Sequence, residues 1–253
     1  MNASAAYNAI GARFGRLEKE NRILAIIRSR SLSAILRAMP AGGTLLELGA
    51  GVGHEAVAVS ERLGARVVAV EPAQSLAAAI SGEAKGRSAA LEVDVRDART
   101  ALASLAAQGR TFDGAWSSFA LGYEAPLSEL RPLLAAVLRP RAPLVLTLRN
   151  PWCLAEPWSI PLRASGRYRH KVGSARVPIR HYSVGAARAA LSPAFALRSV
   201  QAVPAIVPPP RYGRAWNHLG RGAALIERAD AALATRAPFR ALGDHTLFLF
   251  ERS

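Results

Sequence analysis

Hydrophobic and polar positions follow two periods along the chain. Over residues 2–39, Leu24, Ile27, Leu32, Ile35, Leu36 and Met39 recur at intervals close to a helical repeat, with Arg and Glu between them. Pro40 and Gly42-Gly43 end that stretch. Short apolar runs follow at residues 45–48, 67–70, 89–93 and 144–148, each the length of a strand buried on both faces. A fifth run, residues 112–121, ends in small and polar residues. Helical stretches separate the runs: one to about Leu63, stopped by Gly64, then residues 76–80, 100–108 and 126–138. Strand and helix alternating with short connections predict an α/β protein with a Rossmann-like, doubly wound, mostly parallel sheet.

The rhythm breaks at residues 150–182, which hold Trp152, Trp158 and Tyr168 among Arg163, Arg167, Arg169, Lys171, Arg176 and Arg180. It returns with a helix over 184–191 and a sixth strand over 195–200. A second extension, 203–243, begins with Pro208-Pro209-Pro210 and carries a helix near 223–233. Residues 246–250 read as a last strand. The expectation is one domain over 1–253: a helical leader (1–43), a core (44–148) and two extensions (150–182 and 203–243). Ligands of doubly wound sheets lie outside the carboxyl ends of the parallel strands, so both extensions should roof a site there. Their mix of large apolar residues and arginines suits a ligand with an apolar body and a polar or anionic end.

The most informative stretch is Leu45-Leu46-Glu47-Leu48-Gly49-Ala50-Gly51-Val52-Gly53. A buried strand runs into three alternate glycines, which permit a sharp turn and close approach of a ligand to the backbone. The following helix points its free N–H groups back at that turn. Glu71-Pro72 closes the second strand, where an acid can accept hydrogen bonds from ribose hydroxyls. Gly51-x-Gly53-x-x-Ala56 also fits the dinucleotide fingerprint, so these residues alone leave two cofactors open.

With Glu47 ahead of Gly49, Gly51 and Gly53, the stretch resembles motif I of the class I S-adenosylmethionine-dependent methyltransferases. The leader and the long extension after strand five are similar to the quinone-biosynthesis and natural-product members. The resemblance covers residues 44–148 and, more loosely, 184–252. It implies a seven-stranded sheet with an antiparallel last strand and S-adenosylmethionine as cofactor. It also implies a set of binding positions: Glu47, Gly49, Ala50, Gly51, Gly53, Glu71 and Pro72; Asp94 for the adenine amino group, with the Val95 backbone N–H for the ring; and Ser117 and Ser118 beside the methionine part. Asp97 competes with Asp94, either acid being able to cap a helix. Tyr7 and Phe14 resemble a leader that folds over the cofactor.

Methyl transfer needs alignment more than activation, because the sulfonium is already a good leaving group. An oxygen acceptor would gain from a base. His181 is the first candidate and Tyr123 the second, while His170 sits in a basic run that should depress its pKa. Asn150, Trp152 and Tyr182, with Tyr7, are the candidate acceptor contacts. Neither CxxC nor HxxxH spacing occurs, so no metal is expected.

Composition adds a boundary and a question. The 253 residues are 51% hydrophobic, enough for one sizeable core. Net charge is +15, with only three lysines, Lys19, Lys85 and Lys171. The charge reads as anion affinity or as a compositional bias towards Arg. A single Cys153 fits a reducing compartment, and charges interrupt the apolar residues of the N-terminus. A cytoplasmic location is expected, with peripheral membrane contact left open. The leading reading is methyl transfer to a small-molecule acceptor, apolar with a polar or anionic group; oligomeric state is unreadable. Three alternatives stand beside it. The aromatic-basic extension suits an RNA or other nucleic-acid methyltransferase. The glycine register suits an NAD-dependent oxidoreductase, although no Tyr-x-x-x-Lys pair is present. A non-catalytic cofactor-binding scaffold completes the set.

Overall fold

The computed structural model describes residues 2–11 and 20–253. Phe14 lies outside them. The leader forms helices α1 (Ala3–Ile10) and α2 (Arg22–Ala38). Asn2 and Asn21 cap them, each accepting backbone N–H groups of the first turn. The buried stripe of α2 is Ile23, Ile27, Ser31, Ile35 and Met39, one residue in four. Its one polar member, Ser31, meets Thr147 at 3.2 Å inside the core.

The core alternates β1 (Thr44–Leu48), α3 (His54–Leu63), β2 (Arg66–Val70), α4 (Gln74–Ala84), β3 (Ala90–Asp94), α5 (Ala98–Ala107), β4 (Gly114–Ser118), α6 (Leu127–Val137) and β5 (Pro143–Arg149). The first extension holds α7 (Ile160–Ala164) and a hairpin, β6 (Arg169–Val172) and β7 (Ala175–Pro178). Then come α8 (Val184–Leu191), β8 (Phe195–Ala202), α9 (Gly213–His218), α10 (Arg221–Leu233) and β9 (His245–Arg252). The main sheet runs β3-β2-β1-β4-β5-β9-β8, and β9 alone is antiparallel to its neighbours. The expected seven-stranded architecture with a reversed last strand is present.

Both sheet faces are covered, which is why β1, β2 and β5 read as largely apolar runs. Leu46, Leu48, Val68 and Val70 pack with α5, α6 and α8 on one face. Leu45, Val67, Ala69 and Trp116 pack with α2 and α3 on the other. The charge-rich sequence of the first extension hides its hairpin. The signal present was Gly173-Ser174 between Val172 and Ala175, a two-residue loop with Gly173 at φ +59°. The second extension packs on α2: Arg30 pairs with the buried Asp230, and Arg22 reaches Glu227 at 2.7 Å. No described helix is long and apolar enough to cross a membrane.

Candidate active site

At the carboxyl ends of β1, β2 and β4 lies a narrow cleft of about 90 Å³. Gly49, Gly51, Glu71, Pro72, Leu76 and Ser118 form its floor, and Phe119, Tyr123 and Glu124 one wall. Arg28 of α2 and Ala3, Ser4 and Tyr7 of α1 close it. A larger depression of about 560 Å³ opens at the other end of the sheet, between residues 38–43 and 139–143. It lies at the amino ends of the strands, where doubly wound sheets do not bind ligands, so the smaller cleft is the candidate site.

The glycine turn is fixed from both sides. Gly49 and Ala50 donate to Val70 O at 2.8 and 3.0 Å, which ties the turn to β2. At Gly49, φ is +79°, and a Cβ would stand 2.0 Å from Cβ of Ala120. Glu71 braces the turn: Oε2 accepts from Gly51 N and Oε1 from Ala73 N, both at 2.8 Å. Burial raises its pKa, while those two N–H groups favour the ionised form. Each oxygen keeps a further lone pair towards the cleft, which suits a ribose diol.

Beside the turn stands a hydroxyl and imidazole chain. Tyr7 donates to Tyr123 at 3.4 Å, and Tyr123 contacts Nδ1 of His170 from β6. Burial first, then Arg149, pushes His170 down to about 3, so its imidazole is neutral and Nδ1 can accept. Burial also raises Tyr123 well above the ordinary phenol value. The sequence expectation of a depressed His170 is met, but desolvation leads over neighbouring charge. Glu124 shares the wall with Tyr123, and its carboxyl is pushed up to about 7 by burial, then by Asp97 and Glu71.

Seven expected site residues therefore meet at one cleft: Gly49, Gly51, Glu71, Pro72, Ser118, Tyr7 and Tyr123. Ala50 and Gly53 shape the turn behind it; a Cβ on Gly53 would come within 2.9 Å of Ile80. The others sit elsewhere. Glu47 faces the interior, where Oε1 accepts from Trp116 at 2.9 Å. Its Oε2 has no hydrogen-bond partner among the described residues, and burial with the nearby Glu55 holds its pKa well above the carboxylate range. Ser117 donates to Leu48 O and ties β4 to β1. Asp94 ends β3 as expected but is bonded to Arg96 by both oxygens, and Val95 is exposed. Asp97 caps α5, so it no longer competes with Asp94.

Among the acceptor candidates, Asn150 is buried and bonds Ala241 O and Trp152 N, turning the chain out of β5. The Tyr182 hydroxyl accepts from Leu127 N within the core. Trp152 faces outward. His181 does not line the cleft; it lies edge-on to Tyr168, centroids 5.3 Å apart, and burial lowers it to about 3. His170 does not line the cleft either, but stands behind the wall with Nδ1 against the Tyr123 hydroxyl. Sequence reasoning missed Arg28, Phe119 and Glu124. Glu124 adjoins Tyr123 and could have been found, whereas Arg28 looks like any solvated helix residue. Arg28 lies over the Phe119 ring, 5.3 Å from its centroid. Neither extension supplies any of the lining, contrary to the expectation that both roof the site; the leader helices close it instead, and the first extension reaches it only through His170 behind Tyr123.

Residues 45–143 match the family described as methyltransferase domain. No curated protein matches the sequence. Among solved structures, an S-adenosylmethionine-dependent methyltransferase from Mesorhizobium loti is similar with TM-score 0.59 at 18% identity, covering 89% of this chain and 100% of that one. Geranyl diphosphate C-methyltransferase from Streptomyces coelicolor A3(2) gives 0.60 at 16%, covering 89% and 79%. A [4+2]-cyclase gives 0.57 at 16%, covering 88% and 80%. At these identities the likeness establishes the fold. The family match marks residues 45–143 as a methyltransferase domain, and the similar structures that name a cofactor name S-adenosylmethionine or S-adenosylhomocysteine.

The cleft fits that cofactor. Ser118 Oγ is buried on its wall without a partner among the described residues. Gly49 and Gly51 offer backbone without Cβ, Glu71 offers acceptors for a diol, and Pro72 and Leu76 offer apolar surface for a base.

Proposed function

We propose that this protein methylates a small-molecule acceptor, apolar with a polar or anionic group. The observation that carries the reading is the closure of the cleft by Tyr7, Phe119, Tyr123 and Arg28. Two tyrosines and a phenylalanine offer apolar surface, and the Arg28 guanidinium, already 3.7 Å from the buried Glu55, adds positive charge that an anionic group could share. The geranyl diphosphate enzyme named above acts on an acceptor of that description, an apolar chain with an anionic head. Such a narrow, roofed cleft gives little room for a polynucleotide.

S-adenosylmethionine supplies a methyl group already activated by the sulfonium. What remains for the chain is alignment, exclusion of water and, where the acceptor carries a proton, its removal. Glu71 and the glycine turn hold the nucleoside, and α1 shuts out water from above. Tyr123 faces the cleft with its hydroxyl directed to His170. Tyr123 Oη can accept a hydrogen bond from the acceptor while its own proton points to the neutral Nδ1 of His170, which aligns the acceptor; the acceptor's proton is released to solvent with the product. Asp94 would meet the adenine amino group once Arg96 swings aside.

Calorimetric titration with S-adenosylhomocysteine tests the cofactor, alongside Glu71→Ala and an NAD control. Micromolar binding, weakened a hundredfold or more by Glu71→Ala, is expected from the loss of two charge-assisted hydrogen bonds, about 3 kcal/mol. Heat from NAD and none from S-adenosylhomocysteine would overturn the reading. Methyl transfer from labelled cofactor to a panel of apolar acids and phosphates, lost in Tyr123→Phe, tests the acceptor side.

A further inference from the structure

The turn of 3-10 helix Pro157–Ser159 and α7 after it form a helical segment built inside out. Its inward side chains are polar: Glu156, Ser159 and Arg163 are 0%, 4% and 1% exposed. Its outward side chains are apolar: Trp158 is 65% exposed, and Leu162, one turn on, 52%. On the loop leading into it, Trp152 and Leu154 are exposed by 46% and 45%. An ordinary surface helix has the opposite arrangement.

The inversion is locked in place. Arg163 reaches Oε2 of Glu156 at 2.8 Å and Oδ1 of Asp244 at 2.8 Å, with all three side chains fully buried. It also donates to Asn150 O, and Arg211 pairs with Glu156 from the other side. Rotating the segment to bury Trp158 and Leu162 would break this network and leave its charges uncompensated. The apolar face is therefore held towards solvent by the core itself.

Charge around this face has one sign. Arg167 and Arg169 follow α7 in the chain. Arg236 and Arg240 stand on the loop against which residues 150–154 are docked, through Leu154 N to Leu242 O at 2.7 Å. All four are exposed, and none has a carboxylate within ion-pair distance among the described residues. Residues 150–182 contain one acid, the buried Glu156, and residues 234–243 contain none.

We propose that this face docks the protein on an anionic lipid bilayer. Indole rings favour the headgroup boundary, leucine side chains gain by entering the hydrocarbon beneath it, and arginines pair with lipid phosphates. A nucleic acid would use the tryptophans and arginines, but Leu154, Pro161 and Leu162 offer it nothing to stack on. Four residues beyond α7 the chain enters β6, which carries His170 to Tyr123, so the docked face adjoins the wall of the cleft. A bilayer there could hand over an apolar acceptor; that part alone rests on the function proposed above.

Sedimentation of the full chain with phosphatidylglycerol–phosphatidylcholine vesicles, and with phosphatidylcholine alone, tests the docking. Two double variants accompany it, Trp158→Ala with Leu162→Ala, and Arg236→Gln with Arg240→Gln. S-adenosylhomocysteine calorimetry in solution reports folding and cofactor binding separately from lipid. The expected result is binding to the anionic vesicles, weakened about tenfold or more by either variant and by high salt, with unchanged cofactor affinity. Failure to bind the anionic vesicles would overturn the proposal. So would vesicle binding that neither variant weakens, which would report the net charge alone. Tight binding of single-stranded RNA, lost in the same variants while vesicle binding persists, would reassign the face to nucleic acid.

Discussion

Gly49 and Gly64 both have left-handed backbones, yet their substitution should differ sharply. At Gly49 a methyl group meets both strain and the Ala120 side chain 2.0 Å away. Gly49→Ala should cost about 2–4 kcal/mol and abolish S-adenosylhomocysteine binding. At Gly64, φ +61° with nothing within 4 Å, the same change should cost about 1 kcal/mol and leave binding intact. Urea unfolding with calorimetry checks both. Glu124 carries a pH signature. Its folded pKa of about 7 exceeds the ordinary 4.5, so the folded state binds the proton more tightly. Stability from this group is complete below 4.5 and is lost as pH rises through 7. Glu124→Gln should therefore remove a decline in stability between those values; unfolding curves at several pH values, compared with the unaltered protein, show it. The glycines and Glu71 were legible because backbone conformation and cofactor chemistry restrict those positions to few residue types. Glu124 and Arg28 were not, because a carboxylate or guanidinium has no sequence mark that distinguishes cleft from solvent.

Among the elements, α1 behaves as a lid. It lies across the cleft, tied by Ser4 to Pro72 O at 3.1 Å, by Tyr7 to Tyr123 at 3.4 Å and by Asn8 Oδ1, which accepts from Ser75 N at 2.9 Å, while Ala6 packs on Val172 and Val177. A cleft of about 90 Å³ is well below the ~300 Å³ or more of a typical small-molecule site, so α1 must lift to admit the cofactor. Asn8→Ala, which loosens the lid, should speed both association and release of S-adenosylhomocysteine in stopped-flow measurements, with release changing more. The strands and helices of the core were readable from their period. The β6–β7 hairpin was not, because its Arg, His and Lys side chains mask the strand pattern. Its turn was the remaining signal.

On the scale of the whole molecule, a buried ionic network ties the first extension to the start of β9. Arg163 lies between Glu156 and Asp244, and Asp244 is also 3.6 Å from Arg149 and 3.1 Å from His245. Burial works to raise the Asp244 carboxyl, but His245, Arg149 and Arg163 together hold it well below its usual range. Arg163→Met would leave two buried carboxylates short of a counter-charge. The expected loss is about 3–5 kcal/mol, a fall in Tm on the order of 10 °C by calorimetry. The sequence by itself determined the alternation of strand and helix, the mostly parallel, doubly wound class of the sheet and the glycine turn after β1. All of these rest on local periodicity and on residues whose geometry few alternatives can adopt. Only the tertiary structure decided that His170 rather than His181 meets Tyr123, that Asn150 and Tyr182 serve the scaffold, and that Trp158 faces outward. Those outcomes depend on contacts between segments far apart in the chain, where burial and buried charge override what each residue type suggests alone.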